Sequence, residues 1–180
     1  MKQFRINAEL LNGVKLAKGE KHPKWELNYI YVWDDAFKRN YMATNGHIMF
    51  LATDERQSNE DLIEDVLAFD FKGTIKARAT EMPLLCLNDD GTASIYSTKE
   101  NKPITMSKAK MPDGWDRVIP TKNNELLQVF CLFNGEYLRR IQQFMGVDAW
   151  ERPYTLDNDG RSPVAWISNN KTAVIMPVRV

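Results

Sequence analysis

Histidine and cysteine are both scarce in this chain, with two of each among 180 residues, and that scarcity closes most routes to catalysis or metal binding. Cys86 and Cys131 lie far apart, so the sequence offers neither a disulfide framework nor a Cys-x-x-Cys zinc spacing, and a reducing cytoplasm is the expected setting. Only His22 and His47 could act as bases near neutral pH without a large pKa shift. His22 stands beside Pro23 in a lysine-rich loop and His47 follows a turn glycine, where a surface histidine is the ordinary expectation. No Gly-x-Ser-x-Gly, P-loop or His-Glu-x-x-His pattern occurs, so the chain reads as a non-enzyme without a cofactor. Excess charge is missing too: 24 basic residues balance 24 acidic ones, and any contact with nucleic acid must come from uneven placement of charge. No signal-type apolar run opens the chain and no stretch approaches the ~20 apolar residues of a membrane helix, so no membrane partner is expected.

What is present is a hydrophobic share of 43%, enough for a packed core. From Asn7 to Lys18, Leu10, Leu11, Val14 and Ala17 recur at helical spacing, with Asn7 as cap and Gly19 as stop. The period then becomes that of strands over 29–33, 39–44 and 48–52, with Asp34-Asp35 and Asn45-Gly46 as turn chemistry. Residues 57–65 form a polar connection into an apolar segment, 66–71. Strands at 84–87 and 94–96 flank the turn 88–91, and 103–106 continues the sheet. The stretch Lys72 to Met82 fits helix or strand. A second helix spans Asn134 to Met145, capped by Gly146, and strands follow at 153–156, 164–167 and 172–180. Asp157-Asn158-Asp159-Gly160 lacks the further ligands of a calcium loop and reads as a hairpin turn.

Part of this order recurs. Phe4 to Leu11 aligns with Cys131 to Leu138 through shared Asn, Glu and Leu, and Tyr41 to Asn45 aligns more loosely with Trp166 to Asn170, which points to a duplicated unit of helix and antiparallel strands. Lys15, Lys18, Lys21 and Lys24 lie on and after the first helix, and Arg139 and Arg140 on the second. They form either an ordinary solvated face or, if both helices share one surface, a track for phosphates that positions DNA without reading its sequence.

Four segments resemble the bacterial DNA polymerase III β sliding clamps. Leu27-Asn28-Tyr29-Ile30-Tyr31-Val32 is similar to the clamps' Leu-Asn-Gly-Met-Leu-Phe strand, and Ala43-Thr44-Asn45-Gly46-His47-Ile48-Met49 to their Ala-Thr-Asp-Gly-His-Arg-Leu strand and turn. Met111 to Pro120 resembles the Phe-Pro-Asp-Tyr-Arg-Arg-Val-Leu-Pro connector with one residue inserted, and Ala173 to Val180 resembles the C-terminal Tyr-Val-Val-Met-Pro-Met-Arg-Leu. Ile48 and Asn45 depart from the clamps' Arg and Asp, and the chain has about half the length of a clamp subunit.

The resemblance implies an α+β fold of the DNA-clamp type, with a clamp-type domain over 1–119 and half of another over 120–180, which could also pack as one domain. It implies a processivity factor that encircles or holds duplex DNA, assembles with further copies of itself, and captures short peptide motifs of DNA polymerase or other replication proteins. The implied peptide pocket comprises Leu27, Thr44, Gly46, His47, Met49, Pro112, Arg117, Val118, Val174 and Met176. Read by period alone, Val174 and Met176 are simply core strand residues. The alternative to a ring is a monomeric clamp-like adaptor or decoy that binds peptides without encircling DNA.

Overall fold

Asn7 starts the first helix as its neighbours require: its backbone is extended and its side-chain oxygen accepts from Leu10 N at 3.1 Å, satisfying one of the amides that an N-terminus leaves unpaired. The computed structural model describes residues 1–56, 60–78, 81–120, 125–126, 131–146, 149, 153–157, 159 and 161–178. The helix, α1, covers Ala8–Lys15 and buries Leu10, Leu11 and Val14. It ends before Gly19, because the chain tightens into i to i+3 turns at Leu16 and Ala17, and Gly19 N instead donates to Leu27 O at 2.8 Å. A Cβ at Gly19 would stand 2.9 Å from that oxygen, which is why glycine is needed there. The second helix, α2, covers Gly135–Met145, and Asn134 caps it in the same way, accepting from Glu136 N.

The strands follow chain order as β1 (Lys2–Arg5), β2 (Ile30–Asp35), β3 (Lys38–Thr44), β4 (Ile48–Glu55), β5 (Leu67–Asp70), β6 (Leu84–Leu87), β7 (Ala93–Tyr96), β8 (Asn101–Ser107), β9 (Glu125–Leu126), β10 (Tyr154–Thr155), β11 (Val164–Ile167) and β12 (Lys171–Ile175). All are antiparallel to their neighbours, in the order β1-β6-β7-β8-β5-β2-β3-β4-β12-β11-β10-β9. The last strand stops at Ile175 and does not run on toward residue 180 as its period predicts. The expected turn at Asp34-Asp35 falls instead on Ala36-Phe37. The Asp34 side chain is fully buried, and its carboxylate takes Arg39 Nε at 2.8 Å, Arg39 Nη2 at 2.9 Å and Ile63 N at 2.8 Å. A buried carboxylate with three donors is worth more there than in a turn.

The strand order contains a three-fold recurrence where the sequence indicates a duplication. A leading strand, a helix and a three-strand meander make up β1-α1-β2-β3-β4 and again β9-α2-β10-β11-β12. The middle unit, β5 to β8, has the leading strand and the meander but no helix among its described residues; of the ambiguous stretch 72–82, residues 72–78 and 81–82 are described and stand where the other units have a helix. β1 crosses to pair with β6 and β5 crosses to pair with β2, so the first two units exchange leading strands. The first and third units meet where β4 and β12 pair from Ile48↔Ile175 to Ala52↔Lys171.

Each face of the sheet has its own apolar cluster. On the helix face, Phe50 of β4 stacks on Phe144 of α2, with centroids 4.5 Å apart and planes 5° from parallel, and Gly13 of α1 leaves room for that ring. On the other face, Tyr31, Met42, Met49, Ala68, Ala165 and Val174 are covered by residues of the connector, among them Ala109, Met111, Trp115, Val118 and Ile119.

Candidate functional site

The connector leaves one end of its face open, and there a cavity of about 420 Å³ lies over the β4–β12 seam. Its floor is Met49 and Val174, both buried sheet residues, with Thr44 beside them; Met176 follows β12 and closes one side. The β3–β4 turn is built from its own side chains. Thr44 Oγ1 donates to Ile48 O at 2.8 Å and accepts from Gly46 N, while Asn45 Oδ1 accepts from His47 N at 2.9 Å and Ile48 N at 3.0 Å. Gly46 sits at φ +84°, a left-handed conformation that a side chain would strain. Met176 N donates to His47 O at 2.9 Å, which fastens the chain beyond β12 to this turn.

Two short 3₁₀ turns make the other walls. Trp25–Asn28 presents the buried Leu27, and Trp115–Val118 presents Trp115 and Val118, with Pro112 just before it. Tyr31 holds both walls: its hydroxyl lies 2.6 Å from Glu26 O and 3.0 Å from Lys110 O and shares its single proton between them. Burial, with Glu26 nearby, raises this phenol well above its ordinary pKa. Trp33 of β2 packs edge-on against Trp115 with centroids 5.5 Å apart, anchoring the connector to the sheet.

Leu27, Thr44, Gly46, His47, Met49, Pro112, Val118, Val174 and Met176 therefore line one cavity, from four separated segments. Arg117 is not in that lining: it is exposed, its side chain beside Gly114. Val174 is both core and lining, so the two readings of that residue hold together. Sequence reasoning did not find Glu26, Ile48, Asp113, Gly114 and Trp115 in the lining. Trp115 was the discoverable one, as the one aromatic residue of the connector. His47 also lines an adjoining cavity of about 520 Å³ with Tyr137 and Val178, and its ring stacks on Tyr137 at 6.1 Å.

The cations do not gather as the residues of the cavity do. Lys15 is half-buried, and its ammonium donates to Phe71 O at 2.5 Å and Gly73 O at 2.6 Å, with burial lowering its pKa. Lys18 pairs with Asp70 at 3.2 Å. Lys21 is exposed, and Lys24 stands on the rim of the apolar cavity rather than on a helix. Arg139 and Arg140 both bind the Glu136 carboxylate, whose pKa they hold down at about 2, and Arg140 also donates to Leu16 O. Among the described residues no group of three His, Cys, Asp or Glu could hold a metal, and no helix is long and apolar enough to cross a membrane.

This arrangement of antiparallel sheet and packed helices has close structural counterparts. The chain has the fold of the bacterial DNA polymerase sliding clamps. It superposes on the Caulobacter crescentus polymerase III β subunit with a TM-score of 0.69 at 14% identity, over 100% of this chain and 67% of that one. A Pseudomonas aeruginosa clamp gives 0.68 at 14% identity, over 99% and 66%, and the Bacillus subtilis clamp gives 0.64 at 9%, over 99% and 65%. The match spans about two thirds of the length of these clamps. No protein-family model and no curated protein sequence matches it.

Proposed function

We propose that this chain is a clamp-type binding scaffold with no catalytic role, which captures short apolar peptide motifs of a DNA polymerase or another replication protein in the cavity over the β4–β12 seam. The observation that carries this reading is the convergence of nine residues from four distant segments around that one opening. A volume of about 420 Å³ walled by Leu27, Met49, Val174 and Met176 suits one or two large apolar side chains. On this reading residues 1–119 act as one clamp-type domain and 120–180 as half of another, and the helix side holds duplex DNA through phosphates alone, without reading sequence. Enclosure by more than one copy would let weak phosphate contacts suffice.

The second reading, a peptide-binding adaptor that does not enclose DNA, is favoured by the internal use of Lys15 and Lys18 and by the shared counter-charge of Arg139 and Arg140. Two measurements decide. Fluorescence anisotropy of a labelled peptide carrying Leu and Phe anchors should show saturable binding that Met176→Asp removes; equal binding by the variant would sink the cavity assignment. Sedimentation analysis separates the readings: an oligomer favours the ring and a monomer the adaptor.

A further inference from the structure

We propose that the connection standing where the middle unit lacks a helix, residues 71–78, is the principal phosphate-contacting element of the helix side, an assignment that rests on the reading of that side as DNA-facing. The loop has a fixed inner edge. Asn12 of α1 donates to Ile75 O at 2.9 Å and accepts from Ile75 N at 2.8 Å, Lys15 holds the carbonyls of Phe71 and Gly73, and Phe71 and Ile75 are buried. With that edge pinned to α1, Lys72, Lys76 and Arg78 are left exposed.

Two more ammonium groups reach the same strip from the next hairpin: Lys99 Nζ lies 3.4 Å from Ala77 O and Lys102 Nζ 3.2 Å from Lys72 O. Backbone carbonyls orient both groups, and Lys102 also pairs with Glu100 at 3.4 Å. Lys72, Lys76, Arg78 and Lys99 are thus the exposed cations of the strip, while Lys18 is paired with Asp70 and Lys102 with Glu100, and Glu9 and Glu81 lie near Arg78. Glu81 and Glu100 are engaged as braces. Glu81 accepts from Arg78 N, Thr98 N and Thr98 Oγ1, and Glu100 accepts from Lys76 N, so both tie the hairpin to the loop. By contrast, the two arginines of α2 share one carboxylate. A row of cations on a braced backbone suits the closely spaced phosphates of a duplex.

The test uses the full chain and a labelled duplex of mixed sequence, titrated between about 50 and 200 mM salt. Replacing Lys72, Lys76 and Arg78 together by serine should weaken association about tenfold or more at the low end and make the log–log salt dependence shallower by roughly one per residue removed. Arg139→Ser with Arg140→Ser should cost less. Thermal melting checks that both variants fold, the α2 pair in particular because Arg140 is partly buried and donates to Leu16 O. Undiminished binding by the triple variant with loss in the α2 pair overturns the loop assignment and leaves the DNA reading standing. Absence of binding by the unaltered chain overturns both. Tighter binding of a poly-glutamate peptide than of the duplex, abolished by the same triple change, assigns the strip to an acidic protein and overturns the proposal.

Discussion

The two faces of the sheet are covered by different means, and the difference separates a sealed face from one left partly open. On one face, helices bury Phe50, Leu11, Val14 and Ile141 completely or nearly so, and aromatic rings stack across α2 and β4. On the other, an irregular connector anchored by Trp115 and by one tyrosine hydroxyl does the covering, and it stops short of the seam. Regular elements can tile a surface; a strap that has to satisfy its own backbone polar groups cannot follow it to the edge. The apolar surface left at that edge is the cavity.

The comparison is sharpest when each face is damaged in turn. Phe144→Ala on the helix face should cost about 3–5 kcal/mol of folding stability, read by urea denaturation; a loss under about 1 kcal/mol would mean the ring stack is dispensable. Met176→Asp on the open face should weaken the Leu and Phe peptide about thirtyfold, roughly 2 kcal/mol by the usual conversion, while moving the melting midpoint little, since Met176 is only partly buried. Tyr31→Phe lies between the two in kind and below both in size. It removes the bridge between Glu26 O and Lys110 O, costs about 1 kcal/mol, and should loosen peptide binding severalfold because both walls lean on that hydroxyl. The smallest effect concerns α2. Glu136 is held at about pKa 2 by Arg139 and Arg140, below its unfolded value, so its contribution is complete above about pH 4.3 and fades as pH falls toward 2. Circular dichroism in acid should show that loss in the parent and not in Glu136→Gln.

Much of the helix face was legible in the residues, because its signals are local. An Asn before an i, i+3, i+4 apolar series both caps and orients a helix, and Asn7 and Asn134 do so at equivalent places. The strands were legible for the same reason. The turn at Asp34-Asp35 was not, since its competitor is Arg39, a partner that only the folded hairpin brings within reach. The middle unit, without a helix among its described residues, escaped because a loop held by Asn12 and Lys15 carries no period of its own. The cavity residues could be assembled only through their likeness to the clamp segments, as spacing alone reads Val174 and Met176 as core. Arg117, carried over with the rest, turned outward because a 3₁₀ turn alternates its side chains on a three-residue cycle and Val118 took the inward place.

The antiparallel seam between β4 and β12 gives the opening a property that neither unit has alone. Leu27, Thr44 and Met49 belong to the first unit and Val174 and Met176 to the third, joined by five residue pairs. The chamber exists only while that zipper is shut, so any guest must act as a rivet across it. By linkage, an occupant at a hundred times its dissociation constant would add about 2.7 kcal/mol to the work of parting the two units.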